Sequence, residues 1–300
     1  MTQGSLRSYA EMVGIFNVAL EALCRVRPPA FPPRLWESMT YSLQAGGKRI
    51  RPVLCLLTGQ SFGVSPDRLM PMALALEMIH TASLIHDDLP AMDDDALRRG
   101  RPTNHVVFGE AMAILAGDSL LVWSGSHAAR DLVARSGFSA HNVLKSVNVL
   151  LECAGPGGIC GGQVLDIDEN PETDKVSYPL KVAAAKTGAL LRSSVLAPAI
   201  LCDVDNAEMK AFSRFGVYSG VAFQIADDVL DMTGSSESLG KTPGKDSARG
   251  KPTFANVLGL AQAMALEKRF WSKARQSLAS LDRDVRPILE LVEALQNRTK

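Results

Sequence analysis

The chain has 300 residues, 46% of them apolar, which is enough for a sizeable core in one large domain or two small ones. Its 32 basic residues are matched by 32 acidic ones, so it lacks the cationic excess that drives nucleic-acid binding. Five scattered cysteines (Cys24, Cys55, Cys153, Cys160, Cys202) show no C-x-x-C spacing, which argues against a disulfide framework and structural zinc and fits a reducing compartment. The first residues, MTQGSLRSYAEMVG, lack the basic start and apolar centre of a signal peptide, and no uninterrupted apolar run reaches membrane-spanning length. A soluble, cytoplasmic protein without a transmembrane segment is therefore expected.

Along the chain, helical periodicity dominates and alternating, strand-like runs are scarce. Helices are predicted near 35–46 and 51–62, then over Pro71–His86 with the proline in the first turn, then near 110–135, 140–153, 179–200, 207–231, 254–278 and 283–296. The helix from Pro71 is apolar on most faces and should be central. Abundant alanine, leucine and methionine with few aromatics favour helix over sheet. Gly155-Pro156-Gly157-Gly158 and the stretch 232–253 are breaks, but the helical pattern resumes after each, so neither reads as a domain linker. The chain reads as one domain over 1–300. His86-Asp87-Asp88-Leu89 and Ala226-Asp227-Asp228-Val229 each end an apolar helix, yet their flanks do not otherwise align as a repeat.

Those two helix ends carry the chemistry. Carboxylates after apolar runs are costly unless a cation compensates them. Asp227 and Asp231 lie four residues apart, about 40° around a helix, and can address one metal ion together; Asp228 points about 100° away. Asp87 and Asp93 would be about 120° apart on a regular helix, so a local distortion around Pro90 is needed to bring both to one ion. Magnesium suits such oxygen ligands and is commonly shared with substrate phosphates.

Basic groups supply the complement: Lys48, Arg49 and Arg51 after Gly46-Gly47, then Arg98 and Arg99, Lys186 within a helix, and Lys241, Lys245 and Lys251 after the second acidic cluster. Arginine grips phosphate with a planar fork and lysine as a point charge. Together the clusters suggest two diphosphate subsites, one reached through metal ions and the other directly by cations. Gly240-Lys241-Thr242 is not a P-loop, because Ser235 stands where the first glycine is required and no strand precedes it. The glycines of 155–162 do not follow a strand, which disfavours a dinucleotide fold. His80, seven residues before Asp87 and nearly on its face, is a candidate donor to phosphate, whereas His86 reads as structural.

The motifs Gly46–Pro52, Ser83–Asp93, Leu97–His105, Ala116–Leu120, Gly162–Asp166, Lys186–Gly188, Phe223–Asp231 and Gly240–Asp246, in this order, resemble the trans-isoprenyl diphosphate synthases over most of the chain. The D-D-x-x-x-x-D form of the first cluster resembles that of geranylgeranyl and bacterial farnesyl diphosphate synthases. The resemblance implies an all-α fold with antiparallel helices around a deep central cavity, and a homodimer. It implies that Asp87, Asp88 and Asp93 hold magnesium on an allylic diphosphate and that Asp227 and Asp231 hold a further ion, three in all with diphosphate bound. Arg98, Lys186, Lys241 and Lys251 would contact that diphosphate, and Thr187 and Gln224 would lie near the forming cation. Lys48, Arg51, His80 and Arg99 would bind isopentenyl diphosphate, and the tail Asn297–Lys300 would help close the pocket. The implied allylic partners are dimethylallyl, geranyl and farnesyl diphosphates.

Ala82 and Ser83, one helical turn and more before Asp87, are small; in the family that the chain resembles an aromatic residue here closes the product channel at fifteen carbons, so the resemblance implies a channel open past that length. This favours geranylgeranyl diphosphate, with farnesyl diphosphate as the alternative. A non-catalytic partner subunit would be expected to have lost an acidic cluster, and a terpene cyclase would not need Lys48, Arg51 and Arg99.

Overall fold

The computed structural model describes residues 6–167, 176–233 and 252–297. The first helix, α1 (Tyr9–Arg25), was not among the predicted elements. Its signal is a capping box: the Ser8 side chain accepts from the Glu11 amide while Glu11 accepts from the Ser8 amide. Met12, Phe16, Leu20 and Cys24 form its buried stripe at i, i+4 spacing.

Helices α2 (Pro33–Leu43) and α3 (Ile50–Ser61) follow within three residues of expectation. The central helix α4 runs Pro66–Asp87, so Pro66 rather than Pro71 occupies the first turn. Pro71 lies inside the helix, where its missing N–H removes one early backbone bond. The earlier start also gives α4 the length and apolar composition of a membrane span, although 72% of its most apolar stretch is buried in the fold.

A two-residue hairpin pairs β1 (Leu97–Arg98) with β2 (Arg101–Pro102), the only strands among the described residues. Next come α5 (Asn104–Phe108), α6 (Glu110–Arg135), α7 (Ala140–Ala154) and α8 (Ile159–Ile167). The predicted 179–200 helix is in fact three pieces: α9 (Ser177–Val182), a π-helical turn (Ala183–Gly188) and α10 (Ala189–Leu201). Then come α11 (Asn206–Thr233), α12 (Phe254–Leu258), α13 (Leu260–Leu278) and α14 (Arg286–Gln296). Gly259, at φ +76°, splits the single helix predicted over 254–278.

α4 packs on α3 and α6, while α11 packs on α10, α13 and the π-helical turn. Backbones come very close on the α11 side. A Cβ on Gly220 would lie 2.3 Å from Gly188 Cα, and one on Gly216 would lie 2.4 Å from Arg192 Cα. Each acidic helix is followed by the same device. Thr103 stands at the N-cap position of α5 and Gly109 (φ 87°) turns the chain into α6; Thr253 stands at that of α12, where its side chain also accepts from the Asn256 amide, and Gly259 turns the chain into α13. The two halves thus share a local pattern that the flanks of the D-D pairs do not show.

Candidate active site

α4, α8, the π-helical turn and α11 surround a cavity of about 570 Å³. Asp87 and Asp93 line it from one side, Asp227, Asp228 and Asp231 from α11. The distortion expected at the first cluster is a loop that folds back on the helix end: the Asp93 amide donates to Asp87 O at 2.9 Å and the Asp95 amide to Asp88 O at 3.2 Å. Asp94 takes the left-handed conformation at φ 48°. Both Asp87 and Asp93 therefore reach the cavity.

Asp88 does not line it. This carboxylate is 3% exposed and accepts from Arg98, with Nε at 2.7 and 2.8 Å and Nη2 at 2.6 Å. Expected beside Asp87 and Asp93, Asp88 is placed apart from them: as the residue capping α4, it turns toward the hairpin that carries Arg98. Burial pushes its pKa up to about 6, with Arg98 pulling the other way. Burial also lowers Arg98's affinity for its proton, but the hydrogen bonds and charge of Asp88 outweigh that effect and raise it.

Across the cavity, α8 contributes a carboxylate that sequence reasoning left without a role. Lys186 Nζ lies 2.9 Å from Asp166 and 3.8 Å from Asp87. Burial works against the ammonium, yet Asp87 and Asp166 overcome it and the Lys186 pKa is raised. Asp87 is itself pushed up by burial, with Lys186 opposing. The signal for Asp166 was its place at the end of Gly162–Asp166, where a Cβ on Gly162 would come within 2.3 Å of Lys186 N. Only glycine lets α8 approach closely enough for this contact.

Thr187, next in the π-helical turn, donates to Gln224 Oε1 at 2.7 Å. Gln224 Nε2 donates to Asp228 Oδ1 at 3.0 Å, and Asp228 Oδ2 accepts the Phe254 amide at 2.9 Å. Both oxygens of Asp228 accept, which fixes the amide of Gln224, and that amide in turn fixes the hydroxyl proton of Thr187. The lone pairs of Thr187 Oγ1 are left for the cavity.

A cationic group occupies the end near α3. Lys48, Arg51, His80 and Arg99 all line the cavity. Gly47, at φ +121°, lets the Arg99 guanidinium pass where a Cβ would lie 2.6 Å from its Cζ. Arg99 donates to Gly46 O, and Tyr9 donates to Lys48 O. Arg49, the neighbour of these residues, is left-handed at φ 52° and held by Glu77, by Leu43 O at 3.0 Å and by Asn17. Arg51 Nε is buried without a hydrogen-bond partner among the described residues, and burial lowers the arginine's pKa. His80 is held well below its usual pKa, first by burial and then by Arg51, Arg99, Arg98 and Arg49. A neutral imidazole among cations, with an unpaired guanidinium nitrogen beside it, is a pocket suited to a polyanion.

On the apolar side stand Ser83, Leu84, Ile159, Val182 and Phe223. Ala82, expected in this wall with Ser83, is instead fully buried in the core. It lies about 140° around the helix from Asp87, whereas Ser83 lies about 40° away. Lys241, Lys251 and residues 298–300 lie outside the described residues.

The carboxylates on the two sides of the cavity suit magnesium, which takes one or two carboxylates and completes its shell with water and substrate phosphate. Asp87 and Asp93 on one side and Asp227 and Asp231 on the other would hold it.

The comparisons agree with this geometry. The polyprenyl synthetase family model matches residues 32–292. The chloroplastic geranylgeranyl pyrophosphate synthase of Catharanthus roseus is 41% identical over 284 residues, covering 94% of this chain and 78% of that protein. The farnesyl diphosphate synthase of Bacillus subtilis (strain 168) is 44% identical over 236 residues, 77% of this chain and 78% of that protein. Among solved structures, an FPP/GFPP synthase from Zymomonas mobilis superposes with TM-score 0.84 at 29% identity, covering 96% of this chain and 98% of that one. A geranyltransferase from Helicobacter pylori complexed with magnesium and isoprenyl diphosphate gives 0.80 at 29% identity, covering 98% of each chain. With acidic groups on both sides of one cavity and cations at its end, this all-α chain belongs to the polyprenyl synthetase family.

Proposed function

We propose that the protein is a short-chain trans-prenyltransferase that condenses isopentenyl diphosphate with dimethylallyl, geranyl and farnesyl diphosphates, with geranylgeranyl diphosphate as the main product. The observation that carries this reading is a single cavity lined by Asp87, Asp93, Asp227 and Asp231 together with Lys48, Arg51, His80 and Arg99. A terpene cyclase has no use for the second, cationic subsite. A non-catalytic partner subunit would not be expected to keep both acidic groups.

Magnesium, three ions with diphosphate bound, would neutralise charge gathering on the leaving diphosphate. Lys186 and Arg98 add positive charge at the same place, already oriented by Asp166 and Asp88 before substrate arrives. As the allylic carbon–oxygen bond breaks, the oxygen lone pairs of Thr187 stabilise the cation without trapping it. Lys48, Arg51, Arg99 and neutral His80 hold isopentenyl diphosphate so that its double bond meets the cation from a fixed distance. Loss of a proton to the released diphosphate restores an alkene. Lys241 and Lys251 would add positive charge for the allylic diphosphate.

Small Ser83 in the cavity wall and the geranylgeranyl names of several relatives support the twenty-carbon product. The farnesyl name of the Bacillus subtilis relative supports fifteen carbons as the second reading. The functional unit is taken as the whole chain, 1–300, acting as a cytoplasmic homodimer. Purified protein with magnesium, isopentenyl diphosphate and each allylic starter should release twenty-carbon product, identified by chromatography after dephosphorylation, and a chelator should abolish it. Ser83→Phe should shift the main product to fifteen carbons or fewer. Consumption of an allylic starter in the absence of isopentenyl diphosphate would point to a cyclase instead.

A further inference from the structure

Each acidic helix end carries two adjacent aspartates, and the members of each pair are not equivalent. Asp87 and Asp227 both line the cavity, as does Asp228 in part, whereas Asp88 does not. Their neighbours, Asp88 and Asp228, are 3% and 7% exposed and spend their oxygens on protein donors. Asp228 accepts from Gln224 and the Phe254 amide, Asp88 from Nε and Nη2 of Arg98. Arg98 is tied from below in this way, with Asp95 a further 3.7 Å from Nη2, yet it lines the cavity above. Among the described residues, Nη1 is its one nitrogen not committed to a carboxylate.

A guanidinium without such an anchor would turn toward the other carboxylates that act on it, Asp87 and Asp95, and at Asp87 would compete for the oxygens that the cavity offers to metal. An anchored guanidinium instead presents one edge to phosphate in a fixed plane. We propose that Asp88 is a positioning residue, holding no metal ion itself but aiming Arg98 at the diphosphate. This rests on the diphosphate-binding reading above and reassigns the second aspartate of the motif within it.

Titration calorimetry with inorganic pyrophosphate and saturating magnesium tests the assignment. Asp88→Asn should weaken pyrophosphate binding about tenfold, the scale of one charge-assisted hydrogen bond. In an Arg98→Gln background, the same Asp88→Asn change should alter affinity less than twofold. The magnesium concentration for half-saturation should stay near wild type in Asp88→Asn but rise in Asp87→Asn. If Arg98→Gln fails to give a cooperative melt, Arg98→Lys serves the same cycle, because lysine keeps the charge and loses the fork. Equal losses from Asp88→Asn in both backgrounds, or a magnesium requirement raised as in Asp87→Asn, would overturn the positioning role alone. Wild-type protein that binds no pyrophosphate with magnesium would overturn the diphosphate reading and this role with it.

Discussion

His80 shows how one side chain can register the charge of a whole subsite. Burial and four arginines keep it neutral in the fold. Its folded pKa therefore lies below the ordinary value near 6.5 that it has in the unfolded chain. As pH falls through that unfolded value, the unfolded state takes up a proton that the folded state refuses, and stability is lost. His80→Gln removes this loss. The variant should lose less Tm than wild type between pH 7.5 and 5.5, by about 2 °C or more in paired melts, since 1 kcal/mol moves Tm by about that much in chains of this size class. Identical pH slopes would mean that His80 titrates as freely as an exposed histidine. At this scale the sequence was legible wherever helical angle decides. The seven-residue spacing from His80 to Asp87 puts both on one wall, and both line the cavity. Ala82 was misplaced because its size was considered and its angle was not. Asp88 was misplaced because adjacency in sequence says nothing about which way a helix-capping residue turns.

At the scale of elements, the π-helical turn over Ala183–Gly188 decides most. Its wider turn lets two consecutive residues, Lys186 and Thr187, both face the cavity, one toward the acidic groups and the other toward Gln224. α8 lies against this turn through Gly162. Gly162→Ala would set a methyl against the Lys186 backbone, which cannot swing aside as a long side chain could. The expected result is a lower kcat, by tenfold or more, and a destabilisation of about 1–3 kcal/mol from overpacking. Steady-state kinetics and melting check the two effects separately. Wild-type kcat with a lowered Tm would show that the contact is structural only. Periodicity could not reveal the π-helical turn, because a continuous apolar pattern reads the same whether or not a turn is widened. The Gly259 break was likewise hidden, since apolar spacing continues across it and only backbone conformation separates α12 from α13.

For the whole molecule, the homodimer is the remaining proposal. Leu115 and Val122 on α6, and Leu144 and Leu151 on α7, pair at seven-residue spacing and are 44–75% exposed. The two helices pack side by side, with Leu151 meeting Gly125. An apolar stripe of this kind on adjacent helices suits a self-complementary contact around a twofold axis. Light scattering of the eluting protein should give a mass near twice that of the 32.2 kDa chain, and Val122→Glu combined with Leu144→Glu should reduce it to the single chain. A wild-type mass of one chain would remove the dimer from the proposal.

Composition and helical period were enough to determine an all-α chain with two acidic helix ends, and the order of its short motifs carried the resemblance to the family. Each of these depends on residues close together in the chain, where geometry is set by backbone sterics and hydrogen bonding. Tertiary structure alone decided that Asp88 accepts from Arg98 and that Asp166 holds Lys186. These outcomes depend on how helices distant in sequence are rotated against one another, and packing of the entire core sets that rotation.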